Sequence, residues 1–284
     1  MKKILVTGAQ GQLGQCIRDA ALEFSELEIL FEGKEFLDLT NSQQVTQFFE
    51  THAIDYCINA AAYTHVDKAE NERDLAFAIN GEAVKNLAVT CAKHETVLIH
   101  VSTDYVFDGK KETPYTESDP TYPINVYGAS KLEGEAYIRH CCPHHFIVRT
   151  SWLYSQYGHN FLKTILRLAQ EKNQLTMTTD QIGGPTNAND LANVLLQLIA
   201  QNSTAYGTYH FSNEGAVTWY DFAKAILEIS GFSEKVTVAK TNNYPTFAER
   251  PKNSVLSNDK LNKLLGISSK NWKESLETLI QTKW

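Results

Sequence analysis

Short apolar runs alternate with helical patterns through the first half of the chain. The apolar runs are predicted to form strands, at Lys3–Thr7, Glu28–Phe31, Tyr56–Asn59, Val97–Val101 and Phe146–Arg149. The segments between them are predicted to form helices, at Gln12–Phe24, Ser42–Thr51, Asn80–Lys93 and Val126–His140. This alternation predicts a doubly wound α/β fold, in which helices cover both faces of a parallel sheet.

The pattern loosens after about residue 150 of the 284. Four more helices are predicted there, at Asn160–Gln170, Asp190–Ala200, Thr218–Ser230 and Asn271–Gln281. No linker, low-complexity tract or internal repeat separates the two parts. We therefore expect a large domain over residues 1–150, with return segments near 184–212, and a smaller lobe over residues 151–284.

Composition and charge narrow the class of protein. The hydrophobic share of 43% and the charged share of 21% are ordinary for a globular enzyme, and no run approaches the length that spans a bilayer. A formal net charge of -7 argues against a nucleic-acid partner. The five cysteines follow no disulfide spacing, which favours free thiols in a reducing compartment. We expect a cytoplasmic protein with no membrane partner.

Three glycines, Gly8, Gly11 and Gly14, follow the first strand directly and open the first helix. A phosphate that approaches backbone this closely leaves no room for a Cβ, and the helix N-terminus offers N–H donors to it. A glycine-rich turn without a ligand is the alternative, but the strand–turn–helix context favours dinucleotide binding. The large domain is therefore predicted to be a Rossmann-type dinucleotide-binding domain.

The residues after the second strand bear on which dinucleotide binds. Glu32 stands where an acidic side chain would hold the ribose hydroxyls of NAD, whereas Lys34 could meet the 2′-phosphate of NADP. Asp38 and Leu39 are typical of the loop that borders the adenine. The small residues that follow Asn59 leave room for a flat cofactor, although close helix packing also explains them. NADPH and NADH both stay open.

Tyr127 and Lys131 lie four residues apart, and therefore on one face of a predicted helix. A phenol with a pKa near 10 is a poor acid–base catalyst at neutral pH. A neighbouring ammonium favours the phenolate by up to about 4 kcal/mol at 4 Å. We therefore expect Lys131 to lower the pKa of Tyr127 into a working range.

A hydroxyl group at the end of the fourth strand completes the predicted catalytic set. Thr103 precedes Tyr127 by 24 positions and can donate a hydrogen bond to a substrate carbonyl, with Ser102 as the second choice. Capping of a turn is the alternative role for such a Ser-Thr pair. The order of glycine turn, hydroxyl group and Tyr-x-x-x-Lys favours a reductase.

Seven stretches carry a resemblance to a known family: Gly8–Gly14, Asn59–Lys68, Ser102–Gly109, Asn125–Lys131, Arg149–Tyr154, Asp180–Thr186 and Arg250-Pro251. In them, and over essentially its whole length, the chain resembles the dTDP-4-dehydrorhamnose reductases, which are extended short-chain dehydrogenases. The resemblance implies reduction of the C4 keto group of dTDP-4-dehydro-6-deoxy-L-mannose to dTDP-L-rhamnose by NADPH or NADH, for cell-surface polysaccharide. The smaller lobe would then mainly bind the sugar nucleotide.

The resemblance also assigns roles to residues. Tyr127 would protonate the new alkoxide, Lys131 would hold the nicotinamide ribose, and Thr103 would orient the carbonyl. The residues implied to bind the substrate are Thr103, Asp104, Trp152 and Arg250, the last of them at the diphosphate. The residues implied to bind the cofactor are Gly8, Gly11, Gln12, Leu13, Gly14, Glu32, Asp38, Leu39, Ala62, Tyr63, Thr64, Val101, Tyr127 and Lys131.

Other functions within and outside this class stay open. A related 4-ketoreductase with a different product fits the same motifs, and so does a non-catalytic regulatory subunit of the methionine adenosyltransferase type. Sugar-nucleotide dehydratases carry an Asp-Glu pair after the threonine, whereas here Tyr105 follows Asp104. The resemblance allows a homodimer, but Gln15 and Asn189 are poor ligands for a bridging cation, so no metal is expected.

Two further segments have rival interpretations. The run from His140 to His145 is rich in metal-ligand types, but its spacing matches no usual zinc pattern, and Pro143 favours a helix end. The aromatic run after Thr218 is predicted to begin a helix that Thr218 caps, with stacking on a nucleotide base as the alternative.

Overall fold

The structure is a computed structural model and describes residues 1–242 and 244–284. The strands, numbered along the chain, are β1 (Lys2–Thr7), β2 (Leu27–Glu32), β3 (Tyr56–Asn59), β4 (Val97–Thr103), β5 (His145–Thr150), β6 (Leu153–Tyr154), β7 (Gln174–Thr178), β8 (Ile182–Gly183), β9 (Thr186–Asn187), β10 (Gly207–His210), β11 (Val217–Thr218) and β12 (Thr237–Thr241).

The α-helices are α1 (Gln12–Ala20), α2 (Ser42–Thr51), α3 (Val66–Ala69), α4 (Arg73–Phe77), α5 (Ala83–Lys93), α6 (Val126–Cys141), α7 (Phe161–Glu171), α8 (Ala188–Ala200), α9 (Trp219–Ile229), α10 (Asp259–Leu265) and α11 (Trp272–Lys283). Two 3-10 turns, Ala21–Glu23 and Asp104–Val106, extend α1 and β4. A π-helical segment, Ala78–Glu82, precedes α5.

Six parallel strands form the central sheet, in the order β10-β5-β4-β3-β1-β2. The predicted doubly wound α/β fold is confirmed, and so are the five predicted strands. The chain leaves β1 for β2 on one side and continues with β3 on the other side of β1, so the strand order reverses there. Ligands of open α/β sheets bind at the carboxyl ends of the strands beside such a reversal.

Helices cover both faces of this sheet because successive strand residues point to opposite sides. Ile4 and Val6 pack on the face that α1, α8 and α10 cover, together with Leu195 of α8. Leu5 packs on the other face, against α2, α5 and α6, where Leu87 is buried. The core strands are therefore apolar on both sides, as buried parallel strands are.

A third apolar cluster lies in the second half of the chain. It joins α7, α9 and α11 with the parallel pair β7 and β12, and it includes the buried side chains of Tyr154, Leu162, Phe222 and Leu276. The limits of the two lobes stay a prediction. One strand of the sheet, β10, lies within the predicted return segment near 184–212.

The eight predicted helices are confirmed, with two local corrections. Residues 80–82 belong to the π-helical segment rather than to an α-helix, and α1 gives way to a 3-10 turn at Ala21. The helix end within 140–145 is also confirmed, because α6 ends at Cys141 and β5 begins at His145. Among the described residues, no group of three or more His, Cys, Asp or Glu side chains could hold a metal ion. No helix in 1–242 or 244–284 has the length and apolar character that crossing a membrane requires.

Candidate active site

The turn between β1 and α1 has no room for side chains. Gly8 has a φ of 67°, and a Cβ there would lie 2.7 Å from the Ala61 nitrogen and 2.8 Å from the Ala60 carbonyl carbon. A Cβ on Gly14 would lie 2.5 Å from the Gly8 carbonyl oxygen. Gly11 is the N-cap of α1, so no side chain of that residue satisfies the first N–H groups of the helix. These groups, with the positive end of the helix dipole, suit a phosphate.

A cavity of about 270 Å³ opens beside this turn, at the carboxyl ends of β1 and β3. Five residues predicted to bind the cofactor line it: Gly8, Gly11, Asp38, Leu39 and Ala62. Gln10 and Lys34 line it as well. Its glycine and alanine walls and its position at the helix N-terminus fit the adenosine diphosphate half of a dinucleotide.

Several other residues predicted to bind the cofactor lie outside the lining of this cavity: Gln12, Leu13, Gly14, Glu32, Tyr63, Thr64 and Val101. Leu13 and Gly14 are buried in the first turn of α1, and Thr64 is exposed. Glu32 ends β2, and its carbonyl oxygen accepts a hydrogen bond of 3.1 Å from the Ala9 nitrogen. The resemblance implied most of these cofactor contacts, and they stay predictions.

Two carboxamides that sequence analysis missed hold the loops that border the site. Asn160 donates a hydrogen bond of 2.7 Å to the Gln12 side chain at the start of α1. Asn80, in the π-helical segment, accepts from the Tyr63 nitrogen at 2.9 Å and donates to the Tyr63 carbonyl and to the Ser130 hydroxyl at 3.0 Å each. A buried amide inside a helical pattern is the signal that could have found Asn80.

The helix α6 approaches the end of β4 closely because Gly128 has no side chain. A Cβ at this position would lie 2.1 Å from the Tyr105 carbonyl oxygen. Asn125 begins the helix, since its side chain accepts from the Gly128 nitrogen at 2.8 Å. This approach brings Tyr127, in the first turn of α6, beside Thr103 at the end of β4.

Thr103, Asp104 and Tyr127 meet at this point. The Thr103 hydroxyl donates to Asp104 Oδ1 at 3.0 Å and accepts from the Tyr105 nitrogen at 3.1 Å. Burial raises the pKa of Tyr127 to about 12, although its hydrogen bond with Thr103 acts in the opposite direction. Burial also raises the pKa of Asp104, to about 6. The phenol is therefore protonated at neutral pH.

Lys131 is 2% exposed. Its Nζ donates to the Val101 carbonyl oxygen at 2.8 Å and lies 3.2 Å from His100 Nε2. Burial lowers the pKa of Lys131 to about 8, against the effect of the Glu135 carboxylate. Burial of the phenol dominates the pKa of Tyr127, and the effect expected of Lys131 on it stays a prediction.

Ser102, the second choice for the catalytic hydroxyl, faces the opposite side of the sheet edge. It donates at 2.6 Å to the Glu135 carboxylate, which is fully buried. Arg149 holds the same carboxylate through two hydrogen bonds of 2.9 and 2.7 Å. Burial opposes the charge of Glu135, but the Arg149 guanidinium outweighs it and keeps the pKa of Glu135 below its ordinary value. Ser102 is thus part of a structural ion-pair network, and Thr103 faces the candidate site.

Comparison with known proteins identifies the family. The family model described as the RmlD substrate binding domain matches residues 1–283. A dTDP-4-dehydrorhamnose reductase of Aggregatibacter actinomycetemcomitans is 41% identical, over 98% of each chain. The chain belongs to the dTDP-4-dehydrorhamnose reductase family.

Two other relatives of this family member cover nearly its whole length. The crystal structure of dTDP-4-dehydrorhamnose reductase from Bacillus anthracis, in complex with NADP, has a TM-score of 0.94 and 40% identity, over 99% of each chain. The spore coat polysaccharide biosynthesis protein SpsK of Bacillus subtilis is 39% identical over 99% of this chain and 98% of its own length.

In this dTDP-4-dehydrorhamnose reductase family member, Trp152 follows β5 and holds a rare backbone conformation, with a φ of 45°. Its ring stacks on Trp219, with 3.5 Å between ring centroids and 5° between planes. Gly183 makes this possible, because a Cβ there would lie 2.5 Å from the Trp152 ring. The helix start predicted at Thr218 is confirmed as a capping box with Asp221.

Arg250 borders two large cavities of this family member, of about 960 and 480 Å³. Its guanidinium forks onto Asp67, with bonds of 3.0 Å and 2.8 Å to the two carboxylate oxygens. The same hydrogen bonding keeps the pKa of Asp67 below its ordinary value. Gln181, Tyr244 and Thr246 also line both cavities, so the two spaces adjoin at Arg250. A sugar nucleotide has room here.

Proposed function

We propose that this chain reduces the C4 keto group of dTDP-4-dehydro-6-deoxy-L-mannose to dTDP-L-rhamnose, with NADPH or NADH as the reductant. The observation that carries the proposal is the meeting of Thr103 and Tyr127 at the carboxyl end of β4, one helical turn from Lys131, in a protein of this family. Relatives that are named dTDP-4-dehydrorhamnose reductase match nearly the whole chain, which supports the substrate.

Tyr127, Thr103 and Asp104 have separate roles in the proposed reaction. Reduced nicotinamide, when bound, supplies the hydride for the carbonyl carbon. Tyr127 gives its phenolic proton to the carbonyl oxygen, and its raised pKa keeps that proton in place at neutral pH until the oxygen becomes more basic. Thr103 orients the carbonyl oxygen through its hydroxyl group. Without substrate, the Thr103 hydroxyl donates its proton to the buried Asp104 carboxylate, so this proton turns to the carbonyl oxygen when the substrate binds.

The proposal excludes elimination of water from the sugar. A dehydratase of similar fold would need a second acid after Asp104. Tyr105 occupies this position, and its ring packs edge-on against Tyr127 with 5.8 Å between centroids. A phenol in apolar contact with the catalytic tyrosine offers no carboxyl group to remove a sugar hydroxyl.

The test of this proposal is the identity of the product. The purified protein is incubated with dTDP-4-dehydro-6-deoxy-L-mannose and NADPH or NADH, and the product is analysed by NMR. We expect loss of reduced nicotinamide and formation of dTDP-L-rhamnose in equal amounts. Formation of the C4 epimer would replace the proposed product with that of a related ketoreductase. Cofactor binding without turnover would favour a regulatory subunit.

Lys34 gives a test of the cofactor. It lines the cavity beside the glycine turn, whereas Glu32 does not. We propose that Lys34 meets the 2′-phosphate of NADPH. Lys34→Ala should weaken NADPH binding about three- to tenfold at low salt, as expected for one exposed charge pair, and leave NADH binding unchanged. Equal weakening for both cofactors would contradict this role.

A further inference from the structure

The Asp67 carboxylate lies among several hydrogen-bond donors. Arg250 Nη1 and Nη2 donate to its two oxygens at 3.0 and 2.8 Å, and the Ala248 nitrogen donates to Oδ1 at 3.0 Å. The Phe247 nitrogen donates to the same carboxylate. A guanidinium fork and successive backbone N–H groups are the donors with which proteins bind phosphate groups. Asp67 therefore occupies a site that has the chemistry of an anion site.

These donors belong to the segment 246–250, which has further contacts that hold it in place. Asn125, which begins α6, donates from its side chain to the Glu249 carbonyl oxygen at 2.8 Å. Ala248 is 1% exposed, and its carbonyl oxygen accepts from the guanidinium at 3.1 Å. The donors are therefore positioned by contacts that do not involve the carboxylate.

The two partners of the ion pair differ in their exposure to solvent. The side chain of Asp67 is 48% exposed, whereas that of Arg250 is 18% exposed. A carboxylate that is half in water can turn outward and recover its hydration at little cost. The guanidinium group has less access to water, so it needs a new acceptor when the pair opens. The pair should therefore open by movement of Asp67.

Open space borders the guanidinium fork on two sides. The cavity of about 480 Å³ is lined by both Asp67 and Arg250, and the cavity of about 960 Å³ is lined by Arg250 and Ala248. When the carboxylate turns away, two guanidinium N–H groups and the Ala248 N–H group lose their acceptor. The paired phosphates of a nucleoside diphosphate carry enough oxygen atoms to replace it.

We propose that Asp67 is an internal competitor for the anion site at Arg250, and that it holds the guanidinium fork until the diphosphate of a ligand displaces it. Every ligand that uses the fork must then break this pair first. Asp67 thereby weakens the binding of substrate and product alike, which favours release of the product. The identity of the ligand as a sugar nucleotide rests on the proposed function, but the competition does not.

Calorimetric titration with dTDP measures this competition. In Asp67→Asn, the amide oxygen can still accept from the Ala248 nitrogen, but the charge that holds Arg250 is gone. We expect the variant to bind dTDP about three- to tenfold more tightly than the parent at low salt, as expected for release of one partly exposed ion pair. Asp67→Ala, a second variant, should bind dTDP more tightly as well. Unchanged or weaker binding would overturn the proposal, since that result is expected if the pair only anchors the segment 246–250.

Two controls separate competition for the fork from a general effect of charge. Glu112 is an exposed acidic residue that lines the larger cavity, and Glu112→Gln should change the affinity for dTDP by less than about twofold. Arg250→Met removes the fork and should weaken the binding of dTDP. In that background, adding Asp67→Asn should change the affinity by less than about twofold. Tightening that persists without Arg250 would show simple charge repulsion and would overturn the proposal.

Inorganic pyrophosphate separates this proposal from the proposed function, because it carries the paired phosphates without a sugar or a base. We expect it, too, to bind Asp67→Asn more tightly than the parent. If it does so while the product assay fails, only the proposed reaction is wrong. If dTDP-L-rhamnose forms but neither probe binds the variant more tightly, only the role of Asp67 is wrong. If neither probe binds the parent or the variant, the anion site itself is refuted.

Discussion

The glycine turn and the Tyr127 region are built in different ways. The turn relies on the absence of side chains, since added Cβ atoms at Gly8 and Gly14 would lie within 2.5 to 2.7 Å of backbone atoms. The Tyr127 region relies on buried polar side chains, each held by a partner from another element, as Ser102 and Arg149 hold Glu135. The first is fixed by steric exclusion, and the second by hydrogen-bond satisfaction. Substitutions at the turn should therefore act by steric clash, and substitutions in the Tyr127 region by leaving polar groups without partners.

The largest effect is expected from Tyr127→Phe, which removes the proton donor and leaves the turn untouched. We expect kcat to fall about 10²- to 10⁴-fold, in line with the usual contribution of a general acid, while the dissociation constant for NADPH rises at most about tenfold, as expected for the loss of one hydrogen bond. Steady-state kinetics and fluorescence titration measure the two quantities. Retention of full kcat would remove Tyr127 from the mechanism.

Arg149→Met tests how much the buried ion pair with Glu135 stabilises the Tyr127 region. It leaves the fully buried Glu135 carboxylate without its main partner, which should lower the free energy of unfolding by about 3–5 kcal/mol. Urea denaturation measures this change. The matched control is Arg167→Met, which breaks an exposed pair with Glu171 and should cost less than about 1 kcal/mol. Similar losses in both variants would contradict the distinction.

Asp104→Asn tests the cost of a buried carboxyl group. Burial raises the pKa of Asp104 to about 6 in the folded protein, from an ordinary value of 3.8. The folded state thus binds this proton more tightly than the unfolded state, so the contribution of Asp104 to stability is greatest below about pH 4 and is lost as the pH rises to about 6. Between about pH 4 and pH 6, we expect the free energy of unfolding of Asp104→Asn to rise by about 1–3 kcal/mol relative to that of the parent. If the free energies of unfolding of the parent and the variant changed in parallel with pH, this prediction would be wrong.

Gly8→Ala tests the backbone region. The positive φ and the contact with Ala61 should together cost about 1–3 kcal/mol of stability and weaken NADPH binding. Gly231 provides the control, because it has a φ of 76° but no atom within 4 Å of an added Cβ. Gly231→Ala should therefore cost only the conformational strain, about 1 kcal/mol, and leave binding unchanged. Equal effects would show that crowding at the turn is unimportant.

The same contrast explains what could be predicted from the sequence. The turn, its strand and its helix are consecutive in the chain, so Gly8 and Gly14 could be interpreted from spacing alone. The bounds of β10 were not predicted within the return segment near 184–212, because its four residues, Gly207–His210, give too short and too polar a pattern. The positions of Thr103 and Tyr127 could be predicted because each lies at a recognisable strand end or helix start.

The partners of these groups could not be predicted. His100 within an apolar strand is typical of a core residue whose hydrogen bonds are satisfied. Its partner is Asn59, 41 positions earlier in the chain. The direction of the Lys131 side chain depends likewise on which carbonyl it meets across the sheet edge. Arg250 meets Asp67 from a distance of 183 residues. Such pairings follow from the packing of the whole chain, which local patterns do not contain.

Gly128 gives the proposed chemistry a narrow tolerance. The hydrogen atom on its Cα occupies the place where any larger substituent would strike the Tyr105 carbonyl oxygen. A single methyl group at this position would therefore displace α6, which carries Tyr127, from the end of β4. The spacing between proton donor and hydroxyl partner is thus set by a residue that takes part in no bond-making, and engineering of this enzyme for other sugars should leave it alone.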